Sequence, residues 1–231
     1  MDRDFLRWKA SQMARGFTLE SDSTALVIID LLYANASRTE GQGKLAKQRR
    51  EAASVEYRFS RIENLIIPNL RKLLDFFREN RLRIIYITVG SEMPDYSDIL
   101  PNKRELHRMS GNTKGNRAHE ILDEIKPLPG ECVINKLANG AFSSSNVDPV
   151  LRAMEIKYML FTGVGTSNCV EGTFREAVDR GYNCLAVEDC CGDWVKENHE
   201  GSMMRFGKMG RVETADNVIK ELRDALSKSA Q

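Results

Sequence analysis

The chain has 231 residues, a formal net charge of +1, and 42% hydrophobic and 29% charged residues. This apolar fraction excludes a disordered chain, and the near-zero net charge gives no general attraction to nucleic acid or anionic membranes. No apolar run approaches the roughly 18 residues that cross a bilayer, and the charged start lacks the apolar segment of a signal peptide. We therefore expect a cytoplasmic protein with no nucleic-acid or membrane partner.

The cysteine and histidine content argues against a disulfide framework and a metal site. Five cysteines are few and odd in number, which fits a reducing compartment. There is no CxxC pair, and the three histidines form no HExxH pattern or close pair. A Gly-Val-Gly sequence at 163–165 follows a strand pattern but lacks the third glycine of a dinucleotide fingerprint. We expect no metal and no cofactor, NAD included.

Short apolar runs alternate with helical periods along the chain. The runs predict strands at residues 25–30, 83–89, 132–135, 158–164, 183–188 and 211–213. The periods predict helices at residues 61–80, 146–154, 169–180, 197–205 and 217–227. Strands separated by helices indicate βαβ units, and hence an α/β protein with a mostly parallel sheet covered on both faces. A chain of this length fits one domain over 1–231, with an N-terminal extension at 1–23 and a loop/helix excursion at 33–60.

Two polar stretches fit no regular element. Residues 33–59 are rich in Lys and Arg without interleaved aromatic residues, so we interpret them as a solvated loop-and-helix excursion rather than an anion or nucleic-acid patch. Residues 91–115 contain Pro94, Pro101 and Gly111, and loops of this length often bind ligands or act as lids. We expect substrate specificity to be determined by these two stretches.

Three reactive residues follow strands that end at one edge of the predicted sheet, where ligands bind in open parallel sheets. They are Asp30, Lys136 and Cys169. With Asn168 as N-cap, Cys169 falls in the first turn of a helix, where the dipole lowers a thiol's pKa and favours a nucleophile. A carboxylate could take the thiol proton, and an ammonium would hold both anions together. The alternatives are a packed cysteine, a loop-capping aspartate and a surface lysine.

The residues around these three positions resemble a known family. ALVIID ending in Asp30, NKLANGAF containing Lys136, and FTGVGTSNCVEGTFREAVDRGYNCLAVEDCCG around Cys169 together resemble the isochorismatase-like cysteine hydrolases. The resemblance implies a single-domain Rossmann-like parallel sheet of about six strands and an Asp30–Lys136–Cys169 catalytic triad. It also implies a cis peptide before Gly165 and an oxyanion hole made by the backbone N–H groups of Gly165 and Cys169.

Departures from the family patterns narrow the expected activity. The Asp-x-His metal motif of nicotinamidases is missing, and isochorismatases proper lack the cysteine that this chain has. The first aspartate is followed by Leu31-Leu32 rather than Met-Gln, which puts one wall of the pocket in doubt. The remaining branch hydrolyses small amides and ureides, among them ureidoacrylate, N-carbamoyl compounds, biuret and triuret. The run 188–192 most resembles the biuret and ureide side.

The resulting prediction is a cysteine-dependent amidohydrolase that cleaves a C–N bond of a small linear amide or ureide through a thioester, releasing ammonia. The alternatives are a non-catalytic interaction protein on the same fold and an acyl or carbamoyl transferase using the same cysteine. By resemblance we expect a homodimer or homotetramer. The candidate substrate-binding residues are Asn35, Phe142, Thr166 and Arg205.

Overall fold

A computed structural model describes residues 16–229, and residues 1–15 of the predicted N-terminal extension, with the charged start, lie outside the described residues. Six parallel strands form one sheet in the order β3-β2-β1-β4-β5-β6. This architecture confirms the predicted α/β fold, including the short sixth strand. The strands are β1 (Thr24–Ile29), β2 (Arg83–Val89), β3 (Cys132–Lys136), β4 (Tyr158–Val164), β5 (Asn183–Gly192) and β6 (Arg211–Glu213).

Helices cover both faces of the sheet, and short 3₁₀ turns occur between them. A π-helical turn at Ile62–Ile66 joins α3 to α4 without a break, and Pro68 follows this turn as the second residue of α4. The helices are α1 (Tyr33–Ala36), α2 (Gly41–Gln48), α3 (Glu56–Arg61), α4 (Ile67–Glu79), α5 (Pro101–Ser110), α6 (Val147–Ala153), α7 (Glu171–Asp179), α8 (Lys196–Met209) and α9 (Ala215–Ser229).

The strand β1 is buried along its whole length, and its side chains alternate between two hydrophobic clusters. Leu26 and Ile28 join the cluster that α4 and α9 close, whereas Val27 and Ile29 join the cluster that α6, α7 and α8 close. A strand that packs on both faces has to be apolar at every position. This requirement explains why the run was recognisable in the sequence.

The sheet order reverses between β1 and β4, because the chain winds outwards through β2 and β3 and then returns to add β4 on the other side of β1. Connections from these neighbouring strands leave in opposite directions, which opens a crevice at their carboxyl ends. Asp30 follows β1, Lys136 ends β3, and Gly165 follows β4. Gly163 lets β4 approach β1, since a Cβ at this position would lie 2.0 Å from Ile29 O.

The excursion at 33–60 was predicted to contain loops and helix, whereas residues 91–115 were predicted to be irregular and instead contain a helix. Residues 33–60 form α1, α2, a 3₁₀ turn and most of α3, and residues 91–115 contain α5. These helices are short and packed on one another, with α2 against α5, so tertiary contacts stabilise them rather than a long amphipathic period. Within residues 16–229, no helix is long and apolar enough to cross a membrane.

Candidate active site

A buried ion pair lies at the carboxyl edge of the sheet. Lys136 Nζ donates to Asp30 Oδ2 at 2.9 Å, and the two side chains are 0% and 1% exposed. Lys136 Nζ also donates to Ala138 O at 2.9 Å, which fixes the ammonium in place. Asp30 has a φ of +56°, a conformation that costs free energy for a residue other than glycine and is found mainly at functional sites. The second carboxylate oxygen, Oδ1, is buried and has no hydrogen-bond partner among the described residues.

Cys169 faces this ion pair from the connection between β4 and α7. A cis peptide joins Val164 to Gly165, and a π-helical turn over Thr166–Val170 then runs directly into α7. The N-cap of this stretch is Gly165 rather than the expected Asn168. The first turn therefore begins earlier than predicted and brings Cys169, 9% exposed, to the ion pair.

Burial raises the pKa of the Cys169 thiol to about 11, and the negative charge of Asp30 raises it further against the opposing effect of Lys136. The helix dipole alone predicted the opposite direction, a lowered thiol pKa. Desolvation of a thiolate outweighs that dipole when the sulfur is enclosed. Burial also disfavours the Lys136 ammonium, but Asp30 and Cys169 outweigh this effect and raise the pKa of Lys136. The thiol of the resting site is therefore protonated and lies beside the Lys136 ammonium.

A polar network supports the loop that carries Cys169. Thr166 Oγ1 and His199 Nδ1 lie 3.0 Å apart, and His199 Nε2 lies 2.8 Å from Glu188 Oε1. Arg61 Nη2 contacts the same carboxylate oxygen at 2.5 Å, while Arg61 Nε donates to Cys191 O at 2.8 Å. These contacts connect the loop to β5 and α8. Side-chain networks of this kind, in which the members satisfy one another, hold a backbone in one conformation.

The structure locates the four candidate substrate-binding residues at different places. Asn35 Nδ2 donates to Asp30 O at 3.5 Å, so this amide lies beside the ion pair. Thr166 is fully buried in the loop, and Phe142 is a core residue in the same hydrophobic cluster as Cys169. Arg205 lies at the contact between α7 and α8, where its guanidinium forms an ion pair with another residue of the protein.

That partner is Glu171, in the first turn of α7. Arg205 Nε and Nη2 donate to the two Glu171 carboxylate oxygens at 2.8 and 2.7 Å. Arginine binds a carboxylate through two parallel N–H groups, and in this bidentate pair Glu171 already accepts from them. The guanidinium of Arg205 is therefore already paired with Glu171 through two of its nitrogens.

Comparisons with known proteins agree with this geometry. The isochorismatase domain model matches residues 24–217. Ureidoacrylate amidohydrolase RutB of Rhizobium rhizogenes is 30% identical over 186 residues, covering 74% of this chain and 71% of that protein. A cysteine hydrolase from Pseudomonas syringae pv. phaseolicola superposes with a TM-score of 0.74 at 21% identity, covering 91% of this chain and 97% of the other. N-carbamoylsarcosine amidase from Thermoplasma acidophilum gives a TM-score of 0.63 at 26% identity, covering 84% and 97%.

The chain belongs to the isochorismatase family, in its amidohydrolase branch. It is a hydrolase of carbon–nitrogen bonds other than peptide bonds. Within residues 16–229 of this amidohydrolase, no three His, Cys, Asp or Glu side chains are grouped as a metal ion would require.

The two helical excursions of the amidohydrolase supply polar residues that sequence reasoning missed. Arg58 on α3 is 3% exposed, and its charge interacts with those of Cys169 and Asp30. Lys103 on α5 donates to Asn139 Oδ1, and the Cys169 thiol donates to the same oxygen at 3.7 Å. The only sequence signal for Arg58 and Lys103 was their position in two long polar stretches near the carboxyl edge of the sheet.

Proposed function

We propose that the protein hydrolyses a small linear ureide or amide by nucleophilic catalysis from Cys169. The observation that carries this proposal is the buried Lys136–Asp30 pair, whose carboxylate interacts with a Cys169 thiol that burial keeps protonated and has one oxygen, Oδ1, without a hydrogen-bond partner among the described residues. A protonated thiol needs a base, and an unpartnered carboxylate oxygen beside it is suited to be that base.

In the first half-reaction, Cys169 Sγ attacks the substrate carbonyl carbon while its proton moves to Asp30. The backbone N–H groups of Gly165 and Cys169 stabilise the oxyanion, a contribution of about 3 kcal/mol for one such donor. The C–N bond then breaks, and Asp30 returns the proton to the departing nitrogen. Lys136 keeps the carboxylate oriented and balances the negative charge that moves between sulfur and carboxylate.

In the second half-reaction, water attacks the Cys169 thioester and gives one proton to Asp30. The C–S bond breaks, and the thiolate takes that proton back, so the enzyme returns to its starting state. With an amide substrate the nitrogen leaves as ammonia. With a ureide, departure of the substituted nitrogen leaves carbamate as the acid product, which decomposes to ammonia and carbon dioxide, whereas departure of the terminal NH2 group releases ammonia directly and leaves an N-substituted carbamate.

The substrate class is tested by ammonia release from a panel of small molecules: ureidoacrylate, N-carbamoyl amino acids, maleamate, biuret, triuret and nicotinamide. We expect turnover of a linear ureide or amide by the wild-type protein and none by Cys169→Ala. Product that forms only after an amine is added would identify a transferase instead. Absence of turnover across the panel, together with a Cys169 that no alkylating reagent modifies even at pH 10, would contradict the proposed function.

A further inference from the structure

Arg58 is a buried cation with one hydrogen-bonding group left over. Its Nε and Nη2 both donate to Asn35 O, at 3.1 and 3.0 Å, and its Cζ lies 4.1 Å from the centre of the Trp194 ring. These contacts fix the plane of the guanidinium. Its Nη1 is buried and has no partner among the described residues. A charged donor removed from water without an acceptor is costly, and its presence calls for an explanation.

The unpartnered Nη1 lies over the loop that carries the nucleophile. A Cβ on Gly165 would be 3.6 Å from Arg58 Nη1 and 3.7 Å from Asp193 Oδ2. A Cβ at this position would make ordinary van der Waals contact with both charged groups, so Arg58 Nη1 and Asp193 Oδ2 lie beside the Gly165 backbone, four residues before Cys169. A substrate attacked by Cys169 has its carbonyl oxygen at the Gly165 N–H in the proposed mechanism, so the rest of a small substrate lies within reach of Arg58.

Asp193 does not accept a hydrogen bond from Arg58 Nη1. Its Oδ2 accepts from the Ser167 N–H at 2.6 Å, and its Oδ1 accepts from the Trp194 N–H at 2.7 Å. Each carboxylate oxygen is thus used to hold the backbone. Burial lowers the pKa of Arg58 to about 10, while Asp193 opposes this effect. Arg58 is therefore still charged at neutral pH.

The charges around the thiol favour an anionic ligand. Three cations, Arg58, Lys103 and Lys136, and two anions, Asp30 and Asp193, interact with Cys169 or with one another at the site. In this set the basic side chains outnumber the acidic ones. A substrate with a single carboxylate would balance it.

We propose that Arg58 Nη1 binds a carboxylate of the substrate, so that the enzyme selects small ureido, carbamoyl or amido acids over neutral ureides such as biuret. This inference rests on the proposed function and names its substrate class. The guanidinium is already oriented by Asn35 and Trp194, so little side-chain freedom is lost on binding. A neutral substrate leaves the buried donor unpaired, and sites built around such a donor reject analogues that lack the acceptor.

The test compares the best carboxylate substrate of the panel with its methyl ester, which keeps the scissile group and removes the charge. We expect the wild-type kcat/KM to be at least about 100-fold higher for the acid than for the ester. Arg58→Gln lowers kcat/KM for the acid about 100-fold, mainly through KM, and changes the value for the ester less than about threefold. Arg58→Lys recovers part of the loss.

The matched control is Arg38→Gln. Arg38 belongs to the same excursion, but it pairs with Glu56 and Glu63 at the surface. We expect this variant to retain wild-type kinetics on both substrates. If it lost as much activity as Arg58→Gln, the effect would belong to the fold of the excursion and not to carboxylate binding.

Three results would overturn the assignment. They are an equal loss for acid and ester in Arg58→Gln, a wild-type preference for the ester, and a wild-type preference for biuret over every acid in the panel. Wild-type inactivity on the whole panel, together with a Cys169 that no alkylating reagent modifies at pH 10, would instead contradict the proposed function. If Arg58→Gln does not fold, competitive inhibition of the wild type decides the matter. Acrylate should inhibit at least about tenfold more strongly than acrylamide, and equal inhibition would refute the role of Arg58.

Discussion

Replacement of the proposed base should change how activity depends on pH, not only its level. Asp30→Asn keeps a hydrogen-bonding group beside Lys136 but removes the carboxylate that would accept the Cys169 proton. Because the thiol pKa is about 11, pH 7 lies about four units below it, and roughly one molecule in 10⁴ carries a thiolate without help from a base. The variant has to use this small fraction, raised somewhat by the loss of the Asp30 charge.

We therefore expect kcat of Asp30→Asn at pH 7 to fall by about 10²–10⁴-fold. Its activity should rise about tenfold per pH unit above pH 7, because each unit raises the thiolate fraction tenfold. The wild-type profile should change much less over the same range. The assay is ammonia release measured between pH 7 and 10, with melting temperatures taken at each pH.

The surface variant Asp148→Asn is a suitable control, since Asp148 accepts a hydrogen bond from Tyr182 at 2.7 Å away from the proposed machinery. This variant should show the same activity at pH 7 and the same pH profile as the wild type. Wild-type activity in Asp30→Asn at pH 7, or parallel pH profiles for the two proteins, would refute the role of Asp30 as the base.

Two further predictions concern stability. Lys136→Met leaves the Asp30 carboxylate buried without its cation, so urea unfolding should show a loss of about 3–5 kcal/mol, and adding Asp30→Asn should restore part of it. A loss below about 1 kcal/mol would contradict the buried pair. A hydrogen bond with His199 and the charge of Arg61 lower the pKa of Glu188 from 4.5 to about 2. This lowered value contributes stability above pH 4.5 that is lost as pH falls towards 2. The melting temperature of Glu188→Gln should therefore fall less than that of the wild type between pH 4.5 and 2. If the two melting temperatures fell in parallel over this range, Glu188 would make no such contribution to stability.

Much of the fold could be predicted because strands that are buried on both faces of a sheet appear in the sequence as continuous apolar runs. The continuous apolar run of β1, TALVII, and that of β4, YMLFTGV, are wholly buried, and a strand enclosed by helices on both sides has few other choices of residue. The excursion at 33–60 gives no such signal. Its helix α2 has glycine at two buried positions, 41 and 43, where a Cβ would lie 2.3 Å from neighbouring backbone. Close packing, not helix propensity, accounts for this element.

The residues of the candidate site could be predicted where a reactive side chain lies at the carboxyl end of a strand, as Asp30 and Lys136 do. Arg58 was not, because its partners are the backbone carbonyl of Asn35 and the ring of Trp194, and neither is recognisable from spacing. The direction of the Cys169 pKa also could not be obtained from the sequence. A helix start predicts a lowered value, and only the enclosed position of the sulfur reverses it.

The central claim is that Cys169 is the nucleophile, and the most direct measurement is kcat/KM of Cys169→Ala on the best substrate of the panel. We expect a fall of at least about 10⁴-fold, with a melting temperature close to that of the wild type because one sulfur atom is removed from an otherwise unchanged site. Activity within about tenfold of the wild type in a folded Cys169→Ala protein would contradict it.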